Sequence, residues 1–156
     1  MPRKKFIAKR ETAPDPKYGD VLVQKFINKI MWEGKKSLAE RIVYDALEAV
    51  AKDKKEDPVE VFKKAIDNVR PRVMVKSTRI GGATYQVPTE VTLEKSQAIA
   101  MKWLITFARN RGEKGMVARL KSELDDAFHG RGNTYKKRED TLKMAEANKA
   151  FAHFKW

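Results

Sequence analysis

The sequence predicts a mainly α protein: a helical bundle of about six helices, with one protruding two-stranded β-hairpin and an extended N-terminal arm. Apolar residues recur at i, i+4 and i+8 through most of the chain, which is the helical period. That period gives way once, over "VMVKSTRIGGATYQV", to β-branched residues flanking a Gly-Gly pair. Residues 1–19 hold Pro2, Pro14, Pro16 and Gly19 and no sustained period, so they read as an arm. At 156 residues the remainder is the size of one domain. Residues 20–156 are therefore expected to form a single helical domain, with its hairpin at about 73–88.

Each element has its own signal. Leu22, Phe26 and Ile30, with Val23 and Ile27 beside them, predict a helix from about Asp20 to Met31, ended by Gly34. "SLAE", Ser37 to Glu40, has the spacing of a capping box and predicts the start of a second helix. Its inward stripe is Leu38, Ile42 and Ala46, flanked by Val43, Leu47 and Val50. "DPVE", Asp57 to Glu60, supplies an acidic N-cap and a proline in the first helical position. Val59, Phe62, Ile66 and Val69 form that third helix's buried face, and Arg70-Pro71 stops it.

Gly81-Gly82 can take positive φ at both positions and so predicts a tight primed turn. Ile80 then faces Ala83. By alternation Lys76, Thr78, Tyr85 and Val87 share one face, while Ser77, Arg79, Thr84 and Gln86 share the other. Helices resume at about Thr92 to Arg111, with Ala100, Trp103, Leu104 and Phe107 inward, and at about Gly115 to Phe128, with Met116, Leu120, Leu124 and Phe128 inward. A final helix near Asn133 has a thin stripe of Leu142, Ala145 and Ala152. These helices carry their own apolar faces and caps, so a monomer is expected to fold without a partner. The ribbon buries little by itself and needs the helices at its base.

Formal charge is +13, with a pI near 9.9, and such an excess points to a polyanionic partner. A membrane fits less well: no apolar run approaches the roughly 18 residues of a spanning helix, and "MPRKKFIAKR" lacks a signal peptide's apolar stretch. The positive charge is segregated. No acid lies between Asp67 and Glu90, a span that carries Arg70, Arg72, Lys76 and Arg79. The arm, "GKK" at 34–36, the ribbon, "RNRGEK" at 109–114 and "KKR" at 136–138 form five basic blocks, whereas residues 37–60 are net acidic. Clustering of this kind follows a phosphate backbone.

Catalytic and metal chemistry find no motif. The chain has no cysteine, which removes disulfides, thiolate zinc sites and a thiol nucleophile and is consistent with a reducing cytoplasm. His129 and His153 lack metal-ligand spacing to each other. Glu139 and Asp140 are adjacent, so on a helix they point about 100° apart. "RIGGATYQ" lacks the Gly-Lys-Ser/Thr end of a phosphate-binding loop. Two binding classes remain. An architectural DNA binder would lay the ribbon in a minor groove, with an apolar wedge at its tip. An RNA-binding protein would use arm, ribbon and helices on a folded RNA, and the bare Gly-Gly tip favours it. Tyr85, on the ribbon among bases, suits either contact with the partner or packing on the domain.

The ribbon "RIGGATYQVPTEV" strongly resembles the hairpin of the bacterial small-subunit ribosomal protein seven family. The resemblance continues through "GKKSLAERIVYDA", "DPVEVFKKAIDNVRP", "ARNRGEKGM" and "KKREDTLKMAEANKAFAHFKW", covering nearly the whole chain. It implies a helical bundle with a protruding hairpin and no enzymatic activity. It also implies a cytoplasmic, ribosomal primary binder of the 3′ (head) domain of small-subunit ribosomal RNA, which nucleates head assembly and lies at the subunit interface near the exit-site transfer RNA. Implied partners are ribosomal proteins nine and eleven of the small subunit, with transfer RNA and messenger RNA as further candidates and no cofactor.

Charge and resemblance together give the residues expected to meet RNA. They are Arg3, Lys4, Lys5, Lys9 and Arg10 in the arm, and Lys29, Lys35 and Lys36 around the first turn. Arg72, Lys76, Arg79, Gly81, Gly82, Tyr85 and Gln86 follow in the ribbon, then Arg109, Arg111 and Lys114, and finally Lys136, Lys137 and Arg138. The pattern departs from the family after the hairpin, where several arginines are usual and Thr92 to Ser96 provide one base beside one acid. Leu142 replaces a frequent histidine, and Phe154 a frequent tyrosine.

Overall fold

The computed structural model describes residues 11–154. They form α1 (Val21–Ile30), α2 (Lys36–Lys54), α3 (Pro58–Val69), β1 (Val73–Ile80), β2 (Ala83–Glu90), α4 (Leu93–Arg109), α5 (Met116–Phe128), α6 (Gly132–Ala147) and a 3-10 helix (Lys149–Phe154). The fold is the helical body with one antiparallel hairpin that the periodicity predicts.

Helix starts follow local chemistry in two cases and depart from it in a third. Asp20 caps α1, accepting from the Leu22 amide at 2.7 Å and the Val23 amide at 3.3 Å. Asp57 caps α3 through the Val59 amide, with Pro58 in the first turn. The capping box expected at Ser37 does not form: α2 begins at Lys36, its N-cap Lys35 has no side-chain hydrogen bond, and Ser37 is already helical. A tight turn replaces it, with the Lys35 amide donating to the Trp32 carbonyl at 2.9 Å and the Lys36 amide to Gly34 at 2.8 Å. This feeds the chain into the helix two residues early. Leu38, expected inward, is 49 % exposed, and α2 buries Ala39, Val43, Ala46, Leu47 and Val50 instead.

α5 sits at the centre of the body and packs against α2, α3, α4 and α6. Val23, Phe26 and Ile27 of α1, Val43 and Leu47 of α2, Phe62 and Ile66 of α3, Leu104 of α4 and Leu120 and Leu124 of α5 share one core. Phe26 and Phe62 meet at 5.0 Å between ring centroids. Along α4 the buried stripe is Ala100, Met101, Leu104, Ile105 and Ala108. Trp103 and Phe107, expected inward, lie on its flank and are half-buried. Phe128 is also half-buried, with the Lys64 ammonium 4.1 Å from its ring centroid.

The hairpin register pairs Ile80 with Ala83, Thr78 with Tyr85 and Ser77 with Gln86. Gly81 and Gly82 have φ of 57° and 90°, as a primed two-residue turn requires. Ser77, Arg79, Thr84 and Gln86 are all exposed on one face, while Val87 on the other is buried. α6 and the 3-10 helix cover this second face.

Residues 1–10, the greater part of the expected arm, lie outside the described residues. Residues 15–18 are a turn docked on α2. Asp15 is buried and accepts from the amides of Lys17 at 3.1 Å and Tyr18 at 2.9 Å and from the Tyr44 hydroxyl at 2.6 Å. Burial, then this hydrogen bond to Asp15, push the Tyr44 hydroxyl pKa upward. A single buried carboxylate thus organises a turn within the stretch expected to be arm.

Candidate nucleic-acid interface

The fold draws the basic blocks of the described residues together in two places. The end of α1 meets the end of α4, where Arg109 donates to the Ile30 carbonyl at 3.0 Å, while Lys29 reaches the first half of α4 and donates to the Ala98 carbonyl at 3.0 Å. Arg119 bridges onward, donating to the carbonyls of Glu113 at 2.7 Å and Arg109 at 3.2 Å. At the base of the ribbon, Arg138 of α6 donates to the Asn68 carbonyl at 2.9 Å and places "KKR" beside the root of β1. The arm bases Arg3, Lys4, Lys5, Lys9 and Arg10 are outside the described residues.

The cations differ in how much charge they have to offer. Arg72, Lys76 and Arg79 on the ribbon, Lys114, and Lys136 and Lys137 on α6 are exposed and have no carboxylate partner among the described residues. Lys35 and Lys36 make exposed pairs with Glu33 at 2.7 Å and Glu40 at 3.6 Å, which cost a competing phosphate little to break. Arg111 belongs to the fold: it bonds buried Glu123 at 2.7 Å, Glu113 at 3.1 Å and Asp126. Burial would discharge its guanidinium, but Glu123 and Asp126 outweigh that and raise its pKa. Glu123 also accepts from the Thr134 amide at 3.2 Å and the Thr134 hydroxyl, so one carboxylate joins α5, the α4–α5 loop and the start of α6.

Tyr85 is also committed to the fold, its ring lying 5.4 Å from Phe151 and 5.0 Å from Phe154. Of the ribbon's expected residues, Arg72, Lys76, Arg79, Gly81, Gly82 and Gln86 are exposed. Gln86 donates to Ser77 Oγ at 2.9 Å across the strands, which holds its amide flat along the free face. The residue missed by sequence reasoning is Trp32, which is 69 % exposed and carries the Arg109 guanidinium 4.5 Å from its ring centroid. Its signal was present: an aromatic off the helical period, immediately before Glu33-Gly34 and two lysines.

A helical body that presents a cationic ribbon with no carboxylate partner among the described residues, and a cationic turn whose ion pairs are exposed, has the surface of a nucleic-acid-binding protein. Among the described residues no helix is long and apolar enough to cross a membrane, and no cluster of three or more His, Asp or Glu is placed to hold a metal ion. The chain belongs to the family described as ribosomal protein S7p/S5e, whose model matches residues 2–149. It is similar to the small ribosomal subunit protein uS7 of Maridesulfovibrio salexigens, with 56 % identity over the full length of both chains. The proteins of that name from Anaeromyxobacter sp. strain K and Nitrosococcus oceani are 58 % and 59 % identical, again across the whole of both chains. Membership makes the chain a structural ribosomal protein and not an enzyme.

Proposed function

We propose that the chain binds the 3′ (head) domain of small-subunit ribosomal RNA and nucleates assembly of the subunit head. Ribbon and arm serve as its probes into the RNA, at the subunit interface near the exit-site transfer RNA, with small-subunit proteins nine and eleven as neighbours. One observation carries the reading. The ribbon exposes Arg79 on its free face, and Lys76 and Arg72 toward its base, with no carboxylate partner among the described residues, on a hairpin whose tip is two glycines. Cations kept apart from acids are poised for phosphate oxygens, and a tip without side chains lets backbone approach a crowded RNA surface. The exposed set Arg72, Lys76, Arg79, Gly81, Gly82, Gln86, Lys114, Lys136 and Lys137 forms the interface, with Lys29, Lys35, Lys36 and Arg109 at its second patch. Arg111, Tyr85 and the guanidinium of Arg138 serve the fold.

Footprinting of the purified chain on small-subunit ribosomal RNA tests this directly: protection is expected within the 3′ domain, and protection elsewhere or none refutes it. Deleting residues 1–10 adds a second measure. Loss of the arm should weaken binding and flatten the dependence of log affinity on log salt, by about 0.7 to 0.9 for each phosphate contact removed. An unchanged slope removes the arm from the interface.

A further inference from the structure

The turn between α1 and α2 stands over a groove of about 530 Å³, also bordered by the end of α4 and the start of α5. Met31, Leu38, Ile42 and Met116 supply an apolar floor, and Trp32, Arg109 and Arg119 stand at the rim. A soluble monomer gains nothing by leaving Trp32 69 % and Leu38 49 % exposed side by side, so the patch calls for an occupant. Its electrostatics say which kind. Among the described residues Arg109 and Arg119 bond only backbone carbonyls, so two guanidinium charges there have no carboxylate partner, while the one acid lining the groove, Glu33, is held by Lys35 at 2.7 Å. The occupant must therefore combine an apolar, flat part with an anion.

We infer that this groove receives one unpaired nucleotide of the bound RNA, its base against Trp32 and the apolar floor and its phosphate on Arg109 and Arg119. Unstacked bases are commonly held on aromatic rings or guanidinium planes, and here the two already lie together, with the Arg109 guanidinium 4.5 Å from the Trp32 ring centroid. That stack fixes the indole before RNA arrives and leaves its remaining surface to the base. Lys35 also lines the groove and Lys36 follows it in the chain, so a phosphate backbone following Arg109, Arg119 and Lys35 passes over it. The inference rests on the proposal that RNA is the partner, and it adds a site for a single base to a surface otherwise suited to phosphates.

The test uses the full chain and a fragment of the small-subunit ribosomal RNA 3′ domain. Trp32→Ala should keep the parent's melting temperature, since the ring is outside the core. It should weaken RNA binding by roughly 5- to 150-fold, the range for loss of one base–aromatic stack, and should release one unpaired base from chemical protection. Trp32→Phe should restore that protection and most of the affinity. With Trp103 and Trp156 replaced by Phe, the fluorescence of Trp32 should fall on RNA binding and become inaccessible to iodide. Parental affinity and protection in Trp32→Ala, or an indole still open to iodide in the complex, overturns the site while the RNA-binding reading stands; this is also the result expected if another protein fills the groove. Failure of the parent chain itself to bind the fragment overturns both.

Discussion

Arg111 shows how a side chain's surroundings decide its role. By sequence it is one of several bases in "RNRGEK", yet it alone faces a carboxylate with no exposed surface, Glu123. Removing one partner of a buried pair strands the other charge, at about 3–5 kcal/mol. Thr134 continues to donate to Glu123, so Arg111→Ala should fall toward the lower end of that range. The expected outcome is a clearly lowered melting temperature with the RNA affinity of the folded protein unchanged; the reverse pattern would return Arg111 to the interface. Two other carboxylates set the response to acid. Burial opposes ionisation of Asp20, but Lys63 and the Leu22 and Val23 amides outweigh it, and its pKa is lowered. At Asp125 burial is likewise outweighed, chiefly by Lys54. A carboxylate held below its unfolded value stabilises the fold fully above that value and loses the contribution as pH falls through the folded one. Stability should hold near neutrality and decline below about pH 4; Asp20→Asn and Asp125→Asn should be less stable at neutral pH by what each carboxylate supplies and should lose correspondingly less on acidification, as acid titration by circular dichroism will show.

Single elements separate cleanly into those that hold the body together and those that reach out of it. The two sequence signals for helix starts now make opposite predictions. Asp57→Ala removes a hydrogen bond that exists and should cost about 1 kcal/mol, whereas Ser37→Ala removes a cap that does not form and should change stability by less than about 0.5 kcal/mol. Chemical denaturation of both variants checks the pair. On the ribbon, Arg79→Ala with Gln86→Ala touches only the exposed face, so stability should again move by less than about 0.5 kcal/mol while RNA affinity falls. A large drop in melting temperature with affinity intact would make the ribbon a scaffold. The hairpin was legible down to its register, because a two-glycine turn fixes which residues face each other and alternation does the rest. Helix faces were legible only to within a neighbouring position. Trp103 and Phe107 have the right chemistry for a core but sit one residue off the stripe that α4 buries, and hydrophobicity without the neighbouring helices cannot resolve that offset. The docked turn at Asp15 was hidden because its partner, Tyr44, is distant in sequence.

At the scale of the molecule, the α2, α3, α4 and α5 faces close on one core without any partner. The free chain should therefore melt in one cooperative transition as a monomer in the absence of RNA; a gradual loss of helix signal would refute this. The charge excess was fully legible as a call for a polyanion, since net charge and its segregation need no structure to be counted. Which cations are free to answer it was not, because ion pairing depends on what folding brings near. The contact of Tyr85 with Phe151 and Phe154 has a consequence in time. Proteins are made from the N-terminus at about 5–20 residues per second, and Phe151 follows Tyr85 by more than sixty residues. For several seconds of each synthesis, the hairpin's residues therefore exist without the aromatic clasp, and the ribbon is marginal and undirected at its base. The clasp closes only after α4, α5 and α6 have been made, so the ribbon's direction is fixed late, by a segment that takes no part in forming the ribbon.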